Sequence, residues 1–195
     1  MRASFFHLLL CLLFSQLVVT LHAQYYQLTK RFTPADGLSD MLTYNGITDA
    51  EGYLWIATNS GLSRYDGHGF KNFYQDLADS TSLCSNYVFD FHVDKISRLW
   101  MATASGLALY EPVTEQFQCF QQDLTQDDTD NGNTILAIHE DEDGILWLGT
   151  MRRGLFRFNP QTKEFKIYPL NETTNDEIRN RLMNTVQSIV QDVKN

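Results

Sequence analysis

The chain has 195 residues, 43% of them hydrophobic and 13% aromatic, which supplies enough apolar material for a packed core and excludes disorder as the default state. Its formal net charge is −9, and basic residues gather only at Lys30-Arg31 and Arg152-Arg153. That balance argues against a nucleic-acid phosphate partner, and the length suits one or two ordinary domains.

Residues 1–23 differ from the rest. Arg2 precedes an almost unbroken apolar run from Phe5 to Leu21, interrupted by Ser15 and Gln16, and the segment ends Leu21-His22-Ala23. This reads as a secretory signal peptide cleaved before Gln24, which places residues 24–195 outside the cytoplasm. The competing reading is an uncleaved membrane anchor, since the run is near the lower length limit for a span. Cys11 lies inside the segment in a Leu-Leu-Leu-Cys context that does not suit lipid attachment.

Tyr25 to Phe32 alternates loosely and reads as a strand, and Phe32 to Ser39 reads as a turn-rich bend. From there the pattern repeats. Leu42 to Thr48 is an apolar strand, Asp49-Ala-Glu-Gly52 a turn, and Tyr53 to Thr58 and Gly61 to Tyr65 two further strands. Asp66-Gly67-His68-Gly69 is a hairpin turn before a fourth strand, Phe70 to Tyr74. Aspartate suits the first turn because it bonds its own backbone, and glycine because it tolerates positive φ. After a polar crossing over Asp76 to Ser82, strands are expected at Asn86 to Val93, Leu99 to Thr103, Gly106 to Tyr110 and Gln116 to Phe120. An acidic connector from Asp123 to Asn133 leads to Thr134 to Glu140, Ile145 to Thr150, Gly154 to Phe158 and Glu164 to Tyr168.

The three copies share one register. Asp49, Gly52, Trp55, Thr58 and Gly61 are matched by Asp94, Trp100, Thr103 and Gly106, with Ser97 in place of the turn glycine, and by Asp141, Gly144, Trp147, Thr150 and Gly154. The third copy has one extra residue within Met151-Arg152-Arg153. Trp55 and Trp100 stand 45 residues apart, and Trp100 and Trp147 47, a period that fits four-stranded propeller blades. The expected fold is therefore all-β, with three antiparallel blades over about 42–74, 87–120 and 134–168. Each tryptophan is expected to be buried in the gap between neighbouring blades, and each threonine and glycine to set the turn into the third strand.

A fourth copy starts at 184–195, where Val186, Ser188, Val190 and Asp192 match an inner strand and its turn aspartate. The same stretch also reads as a helix over 176–195, with Ile178, Leu182, Val186, Ile189, Val190 and Val193 on one face. Three blades do not close a propeller, which takes about four to eight. Residues 24–195 are thus expected to be the front part of a longer protein. The uncovered blade faces should make the isolated chain associate or unfold readily.

Cys84 and Cys119 fall, by repeat alignment, before the first strand and in the last strand of blade two. Those places lie on opposite sides of a blade, so two buried free thiols are expected in preference to a bridge. His139-Glu140, with His92 at the same repeat position, reads as strand-lining and not as a phosphoacceptor. Asp127 to Ile138 fails as a calcium loop, because its last position is Ile138 where a bidentate glutamate is needed. No nucleotide, hydrolase or paired-cysteine metal motif occurs, so no catalytic residue, metal or cofactor is expected.

The segments F-x-x-x-D-G-L-S at Phe32 to Ser39, D-x-x-G-x-L-W-I-A-T at Asp49 to Thr58 and G-L-S-R-Y-D-G at Gly61 to Gly67 closely resemble two-component regulator propeller repeats. The resemblance covers nearly the whole mature chain. It implies the periplasmic sensor region of a membrane-bound hybrid histidine kinase, with a small-molecule or oligosaccharide ligand and dimerisation of the full-length protein. The C-terminal propeller and kinase parts would lie beyond Asn195. Alternatives are the sensor region of a diguanylate cyclase, a secreted protein- or carbohydrate-binding propeller, and a quinone-dependent propeller enzyme. In every case a ligand site would come from loops at one end of the complete propeller.

Overall fold

The computed structural model describes residues 30–122, 132–169 and 185–190. Residues 33–195 make one compact unit; of the other, 1–32, only 30–32 are described, and they are neither helix nor strand. The signal peptide, most of the strand expected over Tyr25 to Phe32, and the acidic connector residues 123–131 lie outside the described residues.

Three four-stranded antiparallel sheets follow one another. Blade one holds β1 (Thr43–Thr48), β2 (Leu54–Thr58), β3 (Gly61–Tyr65) and β4 (Phe70–Phe73). Blade two holds β5 (Val88–Val93), β6 (Leu99–Thr103), β7 (Gly106–Glu111) and β8 (Gln116–Phe120). Blade three holds β9 (Ile135–Glu140), β10 (Leu146–Thr150), β11 (Leu155–Asn159) and β12 (Glu164–Tyr168). Each sheet is a meander in chain order, and the first strands of adjacent blades touch, β1 with β5 and β5 with β9. The first strand is thus the innermost. Each carries a register shift near its start, between Thr43 and Asn45, between Val88 and Asp90, and opposite Gly149 and Thr150. Such a bulge bends a strand and raises its twist.

The core lies between sheets, not within them. Trp55, Leu62 and Phe73 of blade one pack with Val88, Met101, Tyr110 and Phe117 of blade two, and Leu83 from the connector joins them. Trp100, Leu107 and Phe120 of blade two pack in the same way with Ile135, Leu148, Phe156 and Phe158 of blade three. Ring geometry repeats as well. Trp55 stacks on Phe73 of its own blade at 5.5 Å and meets Tyr110 of the next edge-on at 4.7 Å. Trp100 stands 5.9 Å from both Phe120 and Phe158.

Three expectations need correction. Trp147 is only partly buried, whereas Trp55 and Trp100 are 0% and 1% exposed. It keeps its own-blade ring, Tyr168 at 5.6 Å, but no ring from a following blade meets it among the described residues. The described part of the presumed fourth copy, 185–190, is neither strand nor helix; the rest of 176–195 lies outside the described residues. Val186 N–H nevertheless donates to Thr150 O at 2.8 Å. The Thr185 hydroxyl bonds Met151 O, as the Thr134 hydroxyl bonds Ala104 O at 3.0 Å on entering blade three.

The third correction concerns the cysteines. Cys84 and Cys119 form a disulfide with Cα atoms 5.7 Å apart. The connector does not run straight from outer to inner strand; it passes along the edge of β8, where Phe117 N–H donates to Thr81 O at 2.8 Å. A residue that precedes the inner strand in sequence is thereby laid against the outer one.

Candidate functional site

The repeat residues form the same hydrogen-bonded unit three times. In blade one Asp49 accepts the Tyr53 amide through Oδ1 at 2.8 Å and the Trp55 indole N–H through Oδ2 at 2.6 Å. In blade three Asp141 accepts the Asp143 and Ile145 amides at 3.0 Å each and the Trp147 indole at 2.8 Å. Asp94 does most. Its Oδ1 takes the Ile96 and Arg98 amides at 3.1 and 2.8 Å, and its Oδ2 the Trp100 indole and Arg98 Nε at 2.8 and 2.6 Å. Burial works to raise the Asp94 pKa, but the Trp100 indole and the Arg98 amide and guanidinium outweigh it and hold the carboxyl below its ordinary range. Asp141 is lowered likewise, against burial, by the Trp147 indole and the Ile145 and Asp143 amides. The aspartate-to-indole bond is not evident from turn propensity, although the constant six-residue offset from aspartate to tryptophan is its signal.

The second turn is equally regular. Thr58, Thr103 and Thr150 donate their hydroxyls to Gly61 O, Gly106 O and Gly154 O at 2.9, 2.8 and 2.9 Å. At Gly106, φ is 125° and a Cβ would stand 2.4 Å from Phe120 O, so no larger residue fits. Gly52 and Gly144 have φ of 88° and 76° in the first turn, and Ser97 adopts φ 67° in their place. All of these groups are spent on the scaffold. Among the described residues no buried side-chain nitrogen or oxygen lacks a partner, and no cluster of three or more metal-ligating side chains occurs.

Side chains left over collect where the inner strands begin. Met41, Leu42, Tyr44 and Tyr87 are exposed at 61%, 63%, 51% and 49%, and Phe89 stands 6.4 Å from Tyr44. The Tyr44 hydroxyl donates to Asn59 Oδ1 at 2.9 Å, and Asn59 N–H to Leu42 O at 2.9 Å. Gly61 N–H reaches Asn86 O at 3.1 Å, which draws the start of β5 against the same loop. Beside this group Asp40 accepts the Leu42 amide and the Ser60 hydroxyl, which hold its carboxyl below the ordinary range. The arrangement presents exposed aromatic surfaces, an amide and an ionised carboxylate in one place.

Beneath it Asp90 ties the inner strands of all three blades. Its Oδ1 accepts Asn45 Nδ2 at 2.8 Å and its Oδ2 the Ile138 amide at 3.0 Å. Further along, His92 Nε2 stands 3.1 Å from Glu140 Oε2, joining β5 to β9. At the outer side Arg64 donates to the Tyr110 hydroxyl at 2.7 Å and to Glu115 at 2.8 Å. Lys71 also binds Glu115, and with Arg64 holds that carboxyl below its ordinary range. These contacts fix blades to one another and hold no reactive set.

A family profile described as two component regulator propeller matches residues 129–152. A curated relative, Histidine kinase P4 of Formosa agariphila, is 42% identical over 73 residues, which is 37% of this chain and 5% of that protein. Among solved structures, the extracellular domain of a hybrid two component system from B. thetaiotaomicron matches with a TM-score of 0.63 and 27% identity. That match covers 71% of this chain and 20% of the other. The extracellular domain of a one component system from the same organism matches at TM-score 0.60 and 22% identity, over 83% of this chain and 20% of the other; it bears on the fold alone. Residues 129–152 are thus similar to two component regulator propeller repeats, and the chain spans a small part of the relatives it matches. It resembles a sensor propeller and not a catalytic domain.

Proposed function

We propose that this chain is the front part of an extracytoplasmic, ligand-sensing propeller belonging to a membrane-bound two-component sensor of the hybrid histidine kinase type, and that it has no catalysis of its own. The observation that carries the reading is the array of three blades whose repeated polar groups are all consumed by the scaffold, while an aromatic and polar cluster stays exposed where the inner strands begin. The histidine kinase segment and the 27%-identical extracellular domain support the sensor class. The ligand is a saccharide: pyranose rings lay apolar C–H faces on exposed tyrosines, and their hydroxyls need acceptors such as Asp40 and Asn59 beside them. In the complete protein, a dimer anchored in the inner membrane, ligand binding would signal only by favouring one of two ectodomain arrangements, because equal affinity for both shifts nothing.

The test is thermal shift of the complete ectodomain, expressed with its natural downstream sequence, against neutral and acidic oligosaccharides, followed by a kinase-dependent reporter. A binding sugar should raise the melting temperature, and Tyr44→Ala or Tyr87→Ala should abolish that rise without lowering the ligand-free melt. Turnover of a sugar would overturn the non-catalytic reading. Unchanged binding in both tyrosine variants would move the site elsewhere.

A further inference from the structure

We propose that Cys84–Cys119 is a thiol–disulfide exchange site, attacked from solvent at Cys119, that latches the segment joining blades one and two. The two sulfurs are unequally placed. Cys119 is exposed on β8, the outermost strand of its blade, whereas Cys84 is 7% exposed and belongs to the core between blades one and two. The bridge lines an open depression of about 280 Å³ together with Asp76, Asp79, Ser82 and Gln121. A small dithiol or the exposed active-site thiol of a dithiol oxidoreductase therefore has a path to the bridge, and Cys119 is its more exposed half.

Exchange depends on which sulfur is attacked and on access to it. A thiolate of the dithiol attacks Cys119 Sγ, the S–S bond breaks, and Cys84 leaves as a thiolate that takes a proton. The second thiol of the reagent then attacks the mixed disulfide and releases Cys119, so two electrons and two protons pass to the protein and the reagent becomes a disulfide.

What the bond holds is a segment with little else to hold it. Leu77 is 93% exposed, and Asp76, Asp79 and Ser80 are exposed as well. Its own bonds are short-range turns, such as Asp79 N–H to Asp76 O and Thr81 N–H to Asp79 Oδ1. Phe117 N–H to Thr81 O at 2.8 Å ties the segment to β8, whereas Gln75 Nε2 to Cys84 O at 2.9 Å and Gln75 N–H to Asn86 Oδ1 at 2.8 Å join the connector to itself. Leu83, at 1% exposure, stays anchored in the core. Opening the bridge thus frees 76–82 from the edge of β8 while the inter-blade packing of Trp55, Phe73 and Tyr110 persists.

The experiment compares the complete ectodomain, expressed with its natural downstream sequence, in its oxidised form, reduced with dithiothreitol in native buffer, and as Cys84→Ser/Cys119→Ser. Alkylation with peptide mapping reads the bridge, hydrogen exchange reads the segment, and tryptophan fluorescence reads the blades. Native reduction should label both Cys84 and Cys119. Exchange over 76–84 and at the Phe117 amide should rise about tenfold or more, alike in the reduced chain and the double variant, with fluorescence unchanged. A bridge that resists the dithiol until denaturant is added overturns the exchange site. Unchanged exchange in the double variant overturns the latch, and collapse of the fluorescence signal would make the bond a general staple.

Discussion

Replacing Asp94 with alanine removes four acceptor contacts at once. The carboxylate is 1% exposed and receives the Trp100 indole at 2.8 Å and Arg98 Nε at 2.6 Å, besides the Ile96 and Arg98 amides. The Trp100 indole sits in a side chain 1% exposed, so its N–H would be left without water or partner, at about 1–3 kcal/mol. The two amides lie in a turn that water reaches, and their loss adds about 1 kcal/mol together. The expected destabilisation is roughly 3 kcal/mol, or some 6–12 °C for a chain of this size. Asp94→Asn keeps the shape but presents an N–H to one of its donors, so it should fall about midway between.

The pH dependence follows from the direction of the shift. Asp94 is held below its ordinary pKa, so its contribution is fully present above the unfolded value of about 3.9 and disappears as pH falls through the folded one. The gap between wild type and Asp94→Ala should therefore be constant from pH 5 to 7, by about that reference, and narrow in stronger acid. Urea unfolding followed by tryptophan fluorescence measures it. A loss below about 1 kcal/mol, or a gap that persists at the lowest pH where wild type still folds, would refute the claim that this carboxylate holds the indole.

The two kinds of turn glycine should separate. Gly106→Ala places a Cβ against Phe120 O and should cost about 3 kcal/mol or more, while Gly52→Ala, with open space around its Cβ position, should cost about 1 kcal/mol; chemical denaturation of both tells them apart. Trp100→Ala should cost about 3–5 kcal/mol, and Trp147→Ala clearly less in the isolated chain, because its face is only partly covered; equal losses would count against inter-blade packing as the source. The isolated chain should self-associate through its uncovered blade faces, so sedimentation of a single monomeric species up to high concentration would contradict that expectation.

The blades were legible because each carries its own punctuation: a D-x-x-G or D-x-x-S turn, a tryptophan six residues after the aspartate, and a glycine where the third strand starts. Strand limits shifted by one or two residues, as at β5, which begins at Val88 and not at Asn86. What repeat alignment could not supply was anything that differs between copies. Asp90 occupies the place of Asn45 and Ala137, so its bridging of three strands has no counterpart to reveal it. The bridge at Cys84 was misread because alignment fixes positions within a blade and says nothing about the path of the segment between blades. The exposed cluster at Tyr44 and Tyr87 was equally hidden, since it joins residues from two copies with a loop residue, Asn59, and only the converging inner strands bring them together.

Because each core is shared by neighbours, this chain matures with a lag. The cluster around Trp55 includes Phe117, so a nascent chain emerging N-terminus first leaves that core incomplete until the last strand of blade two has arrived. Cys119 follows Phe117 by two positions. The bond to Cys84 thus becomes available at the moment the first inter-blade core is complete, and its formation serves as a covalent timestamp on the first finished joint.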